Sequence, residues 1–185
     1  PWRQAGLPRD DYLDWVDAGE AGPCHAVSCG ERVHGPSCVM RVILSAAAAV
    51  TSRVESTPTL YVLPRHSAAR VAKEVATLDV MSGGRVHKVA VGYGGREKDY
   101  AALEATFKGR YGRMDRQVEE MSKIWAGEEI IEGAGYIGPA TPRAEGTALW
   151  AGAKGPKSMV RCSSWARGRC ECHSQGVEGD CAGRC

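Results

Sequence analysis

Three stretches of this 185-residue chain hold residue types that could do chemistry. The first is Gly152-Ala153-Lys154-Gly155-Pro156-Lys157-Ser158. A glycine-rich strand end followed by Pro156 describes entry into a helix, where free backbone N–H groups gather anions. The two lysines and the Ser158 hydroxyl would add charge and a donor. The second is Gly92-Tyr93-Gly94-Gly95, which fails as a dinucleotide fingerprint because Glu97 stands at the third glycine position. The third is Glu31-Arg32, which a short strand over 24–29 would deliver to its carboxyl end, as the wall of a site. Cys29 lies beside it with no histidine placed to activate it, and reads as a small inert hydrophobe. In the tail, Cys170, Cys172, His173, Cys181 and Cys185 are metal-ligand types, but their spacing is not that of a Cys-x-x-Cys knuckle, and no metal is assigned.

The elements that must position these groups are organised around residues 51–95. Residues 54–63 are rich in β-formers and stop at Pro64, as a strand does. Ser67 can cap a helix in which Val71, Val75 and Leu78 share one face, and Gly83 and Gly84 supply its left-handed stop. Residues 86–91 form a short apolar strand ending at glycines. Two strands joined by one helical crossover lie parallel, and ligands of such folds sit at the strand carboxyl ends. Asp10 or Asp11 can cap a first helix running to about Ala18, and an Ala-rich helix spans 39–52. A helical turn is expected near 100–103 and a helix over 110–126, with Met114, Val118, Met121 and Trp125 on one face. Residues 128–146 read as a hairpin or lid, and 147–151 as a buried strand.

With 43% hydrophobic and 25% charged residues the chain has a globular composition, long enough for one domain with a core. A net charge of +2 with interspersed signs gives no polybasic field, so nucleic acid is not expected as partner. The apolar run 42–50 is too short to span a bilayer, and no membrane partner is expected either. The opening Pro1-Trp2-Arg3-Gln4 has no apolar signal core, which favours the cytoplasm, and the missing initiator methionine suggests a fragment or processed chain. Five of the eight cysteines fall after residue 160, a shift in composition, and Cys24, Cys29 and Cys38 read as reduced thiols.

The run Val71-Ala-Lys-Glu-Val-Ala-Thr-Leu-Asp-Val-Met-Ser-Gly-Gly-Arg85, followed by Val89-Ala-Val-Gly-Tyr-Gly94, resembles the luciferase-like monooxygenase family. The resemblance continues through Lys98-Asp99-Tyr100, the helix ending Trp125-Ala-Gly127 and Leu149-Trp-Ala-Gly152, and covers roughly residues 15–168. It implies an α/β fold, a TIM-type (β/α)8 barrel of parallel strands. This chain holds five or six of them, so the barrel is expected to be incomplete, lacking its first strand and its last ones. On that reading 1–168 is a partial barrel and 169–185 a divergent Cys-rich tail, and the open strand edges invite a homodimer.

The resemblance also implies an enzyme: a flavin-dependent monooxygenase in which reduced FMN activates oxygen for insertion into a small organic substrate. The alternatives are a deazaflavin-dependent hydride-transfer oxidoreductase of the same fold and a non-catalytic fragment. It places a flavin across the strand carboxyl ends, with Thr59 at a backbone kink under the ring and Gly92, Tyr93 and Gly94 approaching it. The phosphate would lie on Gly152, Ala153, Lys154, Gly155 and Ser158, and Glu31 and Arg32 would line the substrate pocket. Two departures stand out: Arg32 replaces a histidine that the family commonly places after the acid, and a lysine replaces hydroxyls in the phosphate turn.

Overall fold

The computed structural model describes residues 8–141, 147–153, 156–166 and, by backbone alone, 168–170. In chain order these form α1 (Arg9–Ala21), β1 (Ala26–Cys29), α2 (Met40–Val50), β2 (Glu55–Val62), a 3-10 turn (Leu63–Arg65), α3 (Ala68–Met81) and β3 (Lys88–Gly92). There follow α4 (Glu97–Ala101), α5 (Arg110–Trp125), β4 (Ala148–Gly152), α6 (Pro156–Cys162) and β5 (Gly168–Cys170). The strands lie in one sheet in the order β1-β2-β3-β4-β5, every neighbour parallel. Spatial order equal to chain order, with helices in the crossovers, is the wall of a (β/α) barrel, here a partial one.

Helix periodicity explains the outer layer. Ser67 caps α3, its hydroxyl accepting from the Arg70 amide at 3.4 Å, and Val71, Val75 and Leu78 are buried against the sheet. On α5, Met114, Val118 and Met121 are buried, with Ile124 beside them. The first helix differs from expectation. Pro8 holds the cap position, Asp10 and Asp11 sit inside the first turn, where they complement the helix dipole, and the helix runs through Gly19 to Ala21. Residues 128–141 hold no helix or strand, and Ile130 and Ile137 pack against the core. β5 carries the sheet two residues past the boundary that composition suggested at 168, while 171–185 lie outside the described residues.

The Ser82-Gly-Gly-Arg85 motif sits at the amino-terminal end of β3, away from any strand carboxyl end. Gly83 and Gly84 have φ of 68° and 85°, and the turn they make aims Arg85 under the sheet. Its guanidinium donates to the carbonyls of Ala48 (3.0 Å), Thr51 (2.7 Å) and Val54 (2.6 Å) and to the Thr51 hydroxyl (2.8 Å). Asp79 accepts from the Val86 amide at 2.9 Å. The most recognisable motif of the chain is therefore a structural knot tying α2, β2, α3 and β3.

A second clamp joins α1 to β2. The Glu20 carboxylate accepts from the amides of Ser52, Arg53 and Val54, and Arg53 donates to the carbonyls of Gly19, Glu20, Gly22 and Cys24. The Val54 amide and then the Ser52 and Arg53 donors hold the Glu20 carboxyl down to about 2. A lowered folded-state value stabilises above the ordinary carboxylate range and ceases to do so as pH falls through it. Glu20→Gln is expected to be less stable at neutral pH and to flatten the loss of thermal stability between pH 4.5 and 2. Melting temperatures of both chains across that interval check this; parallel curves would contradict it.

Candidate functional site

The carboxyl ends of β1, β2 and β3 meet at a break in register. Thr59 pairs with Ala90 and Tyr61 with Val91, so Leu60 is the extra residue of a bulge, and the Thr59–Leu60 peptide is cis. Three glycines accommodate it. A Cβ on Gly30 would stand 2.8 Å from the Thr59 carbonyl oxygen, one on Gly92 2.9 Å from a Leu60 methyl, and one on Gly152 would collide with the other Leu60 methyl. Gly92 and Gly152 pair directly, and both face Leu60. Because Val89, Val91, Leu149 and Ala151 point into the helix layer, strand alternation places Ala90, Gly92 and Gly152 on the opposite, barrel-interior face. The result is a platform on which the two glycines leave room for the Leu60 side chain, whose methyls lie over them. Lower on this face the Lys88 ammonium lies 5.0 Å above the Trp150 ring and 3.7 Å from Glu55.

Beside the platform stands a buried charge network. The Arg65 side chain, only 1% exposed, bridges Glu31 (3.1 Å) and Asp99 (3.3 Å). Glu31 also accepts from the Val62 amide (2.7 Å) and meets His66 Nε2 at 2.5 Å; Asp99 meets His34 Nδ1 at 2.7 Å. Burial alone would raise both carboxyls. The His66 bond, the Arg65 charge and the Val62 amide bring Glu31 below its ordinary value, and the His34 bond with Arg65 does the same for Asp99. Both are ionised at neutral pH. The network ties together the loops after β1 and β3 and the turn after β2, and at its mouth lies a pocket of about 140 Å³ lined by Glu31, Arg32, Arg65, Gly94, Arg96 and Asp99.

The residues singled out from sequence fall into two groups. Thr59, Gly92 and Gly152 meet at the platform, and Glu31, Arg32 and Gly94 meet at the pocket. The Tyr93 ring turns away from both, its hydroxyl 3.2 Å from Cys162 Sγ and its ring against Tyr111, so only its backbone borders the site. Ala153 is buried in the core and Ser158 is half-buried on α6, while Lys154 and Gly155 lie outside the described residues. Sequence reasoning missed Arg65, Asp99 and His34. Asp99 lies in the Lys98-Asp99-Tyr100 motif, a signal that was available; Arg65 follows the strand-ending Pro64 and carries no local signal.

Parallel strands in chain order, with glycines and paired charges gathered at their carboxyl ends, define a scaffold of the (β/α)-barrel class. The chain belongs to the luciferase-like monooxygenase family, whose model matches residues 2–163. It is 32% identical over 125 residues to 2,5-diketocamphane 1,2-monooxygenase 1 of Pseudomonas putida, an alignment covering 63% of this chain and 32% of that protein. Among solved structures it is similar to an F420-dependent secondary alcohol dehydrogenase in complex with an F420-acetone adduct, with a TM-score of 0.74 and 20% identity over 89% of this chain and 54% of the other. It is also similar to the oxygenating constituent of 3,6-diketocamphane monooxygenase from P. putida in complex with FMN, with a TM-score of 0.73 and 14% identity over 91% and 54% of the two chains. The chain thus spans about a third of the curated relative and about half of each solved structure. No helix among the described residues is long and apolar enough to cross a membrane.

Proposed function

We propose that the carboxyl-end face of this sheet carries the flavin side of a monooxygenase site, with FMN as cofactor and a small organic molecule as substrate. One observation carries this reading: the Thr59–Leu60 bulge lays the Leu60 side chain across Gly92 and Gly152 on the interior face, a low apolar surface on which a planar ring can lie. The residues present fit such a group. Leu60 offers apolar contact, and Thr59 lies at the bulge. The turn from Gly152 through Lys154 and Gly155 to Ser158 would take the phosphate, with Ala153 contributing backbone only. Reduced flavin, when bound, supplies the electrons that activate oxygen. The chain's own part is to orient the ring, keep one wall apolar and hold the substrate side with Glu31 and Arg32. The imidazole that position 32 lacks has a neighbour in His34, fixed at Nδ1 by Asp99 with Nε2 unengaged among the described residues.

The likeness to an F420-dependent dehydrogenase supports the second reading, a deazaflavin-dependent hydride transfer on the same face. The free thiols Cys24, Cys29, Cys38 and Cys162 suit a reducing compartment, in keeping with a cytoplasmic place. Fluorescence titration of the folded chain with FMN and, separately, with the deazaflavin coenzyme tests the proposal. Saturable FMN binding weakened by Gly152→Val is expected. Binding of the deazaflavin alone would choose the second reading, and binding of neither by a folded chain would leave a non-catalytic one.

A further inference from the structure

We propose that the 140 Å³ pocket beside the platform is an oxyanion site, in which Arg32 and Arg96 take a carboxylate or phosphate group above the buried Arg65. The inference deepens the flavin-site reading and rests on it only for what else the bound molecule touches.

The charges around the pocket are not equally available. All four carboxylate oxygens are engaged: Glu31 by His66, Val62 and Arg65, Asp99 by His34 and Arg65. Each acid is thus already paired with Arg65 and a histidine. Arg32 and Arg96 are exposed, and among the described residues neither guanidinium has a hydrogen-bond or ion-pair partner. This contrasts with Arg53, Arg85 and Arg113, each anchored on several backbone carbonyls. The Nε of Arg65, although buried, has no hydrogen-bond partner either. Three guanidinium groups therefore border the pocket against two carboxylates, and the unbalanced charge belongs to the two arginines at the rim. Guanidinium forks match the planar oxygens of carboxylates and the faces of phosphates.

Size and walls point the same way. A volume of about 140 Å³ admits a head group or a single small ring but not a multi-ring flavin, so the remainder of a larger molecule must lie outside the pocket. The wall at Gly94 and Gly95 carries no side chain. Gly94 has φ of 61°, and a Cβ there would collide with Val62, so the opening is built into the turn. The shared chemistry is an oxyanion, and two sources could present it: an acidic group on the substrate or, in place of the turn after β4, the phosphate of the coenzyme.

The test is an NMR titration of the folded chain with sodium acetate and with inorganic phosphate at fixed ionic strength, with and without saturating FMN. At least one anion is expected to bind saturably and to shift the amides of residues 94–96. Arg32→Gln and Arg96→Gln should each weaken it about tenfold or more, while Arg70→Gln on the outer face of α3 leaves it unchanged. Both rim arginines are exposed and unpaired, so the variants should fold, and circular dichroism verifies that they do. An anion still bound in the FMN-loaded chain assigns the site to the substrate; one displaced by FMN assigns it to the coenzyme phosphate. No saturable binding, or binding that neither rim variant alters, overturns the proposal. Anion binding by a chain that takes up no flavin would instead refute the flavin reading and leave the oxyanion site standing.

Discussion

Arg65→Met is expected to lower unfolding free energy by about 3–5 kcal/mol, because it leaves the Glu31 and Asp99 carboxylates buried without their shared counter-charge. The effect should depend on pH in a defined direction. In the parent chain both carboxyls are held below their ordinary values, so the network contributes fully above the ordinary carboxylate range and fades as pH falls through the folded-state values. In the variant burial is opposed only by the histidines and the Val62 amide, the carboxyls move up, and protonation relieves the unpaired charge. The stability gap between parent and variant should therefore be widest near neutrality and narrow on acidification. Urea denaturation at several pH values measures it. A gap that stays constant with pH would mean that Arg65 acts through packing against Tyr100, 5.9 Å away, and not through charge. Arg65→Lys should recover only part of the loss, since an ammonium cannot bridge both acids as a planar fork does.

Arg85→Ala should cost about 2–4 kcal/mol, by stranding the carbonyls of Ala48, Thr51 and Val54 beneath the sheet. Its signature differs from that of Arg65. The loss should be nearly independent of pH in the carboxylate range, because no acid pairs with this guanidinium among the described residues. Flavin and anion affinities of the folded variant should remain those of the parent, since the knot lies at the opposite end of the strands. Denaturation together with either titration separates the two outcomes, and a variant that folds normally but loses ligand would contradict the assignment.

The unit from β2 to β3 was legible in the sequence because every signal in it is local. Val71, Val75 and Leu78 repeat at helical spacing, Ser67 precedes them, and Gly83 and Gly84 end them. The register break at Leu60 falls where the resemblance implied a backbone kink, at Thr59. The charge network was not legible. Glu31, Arg65 and Asp99 stand 34 residues apart at each step, and no periodicity links residues brought together only by parallel crossovers. Tyr93 misled for a related reason: the glycines on either side pointed to the site, whereas strand alternation sends its ring to Cys162. At α1, the acidic pair suggested a cap but serves the first turn, a shift of two residues that composition does not distinguish.

The separation between the Arg85 knot and the charged loops has a consequence for how such a chain can change over generations. No residue of the knot contributes to the pocket, and no pocket residue supports the knot. Variation at the exposed positions of the loops 30–38 and 93–109, outside the Arg65 network and the close-packed Gly30 and Gly94, can therefore be sampled without endangering the scaffold, and inherited defects of the knot need not disturb selectivity. A half-barrel divided in this way is a chassis: its ligand end can be refitted for new molecules while the other end keeps the fold heritable.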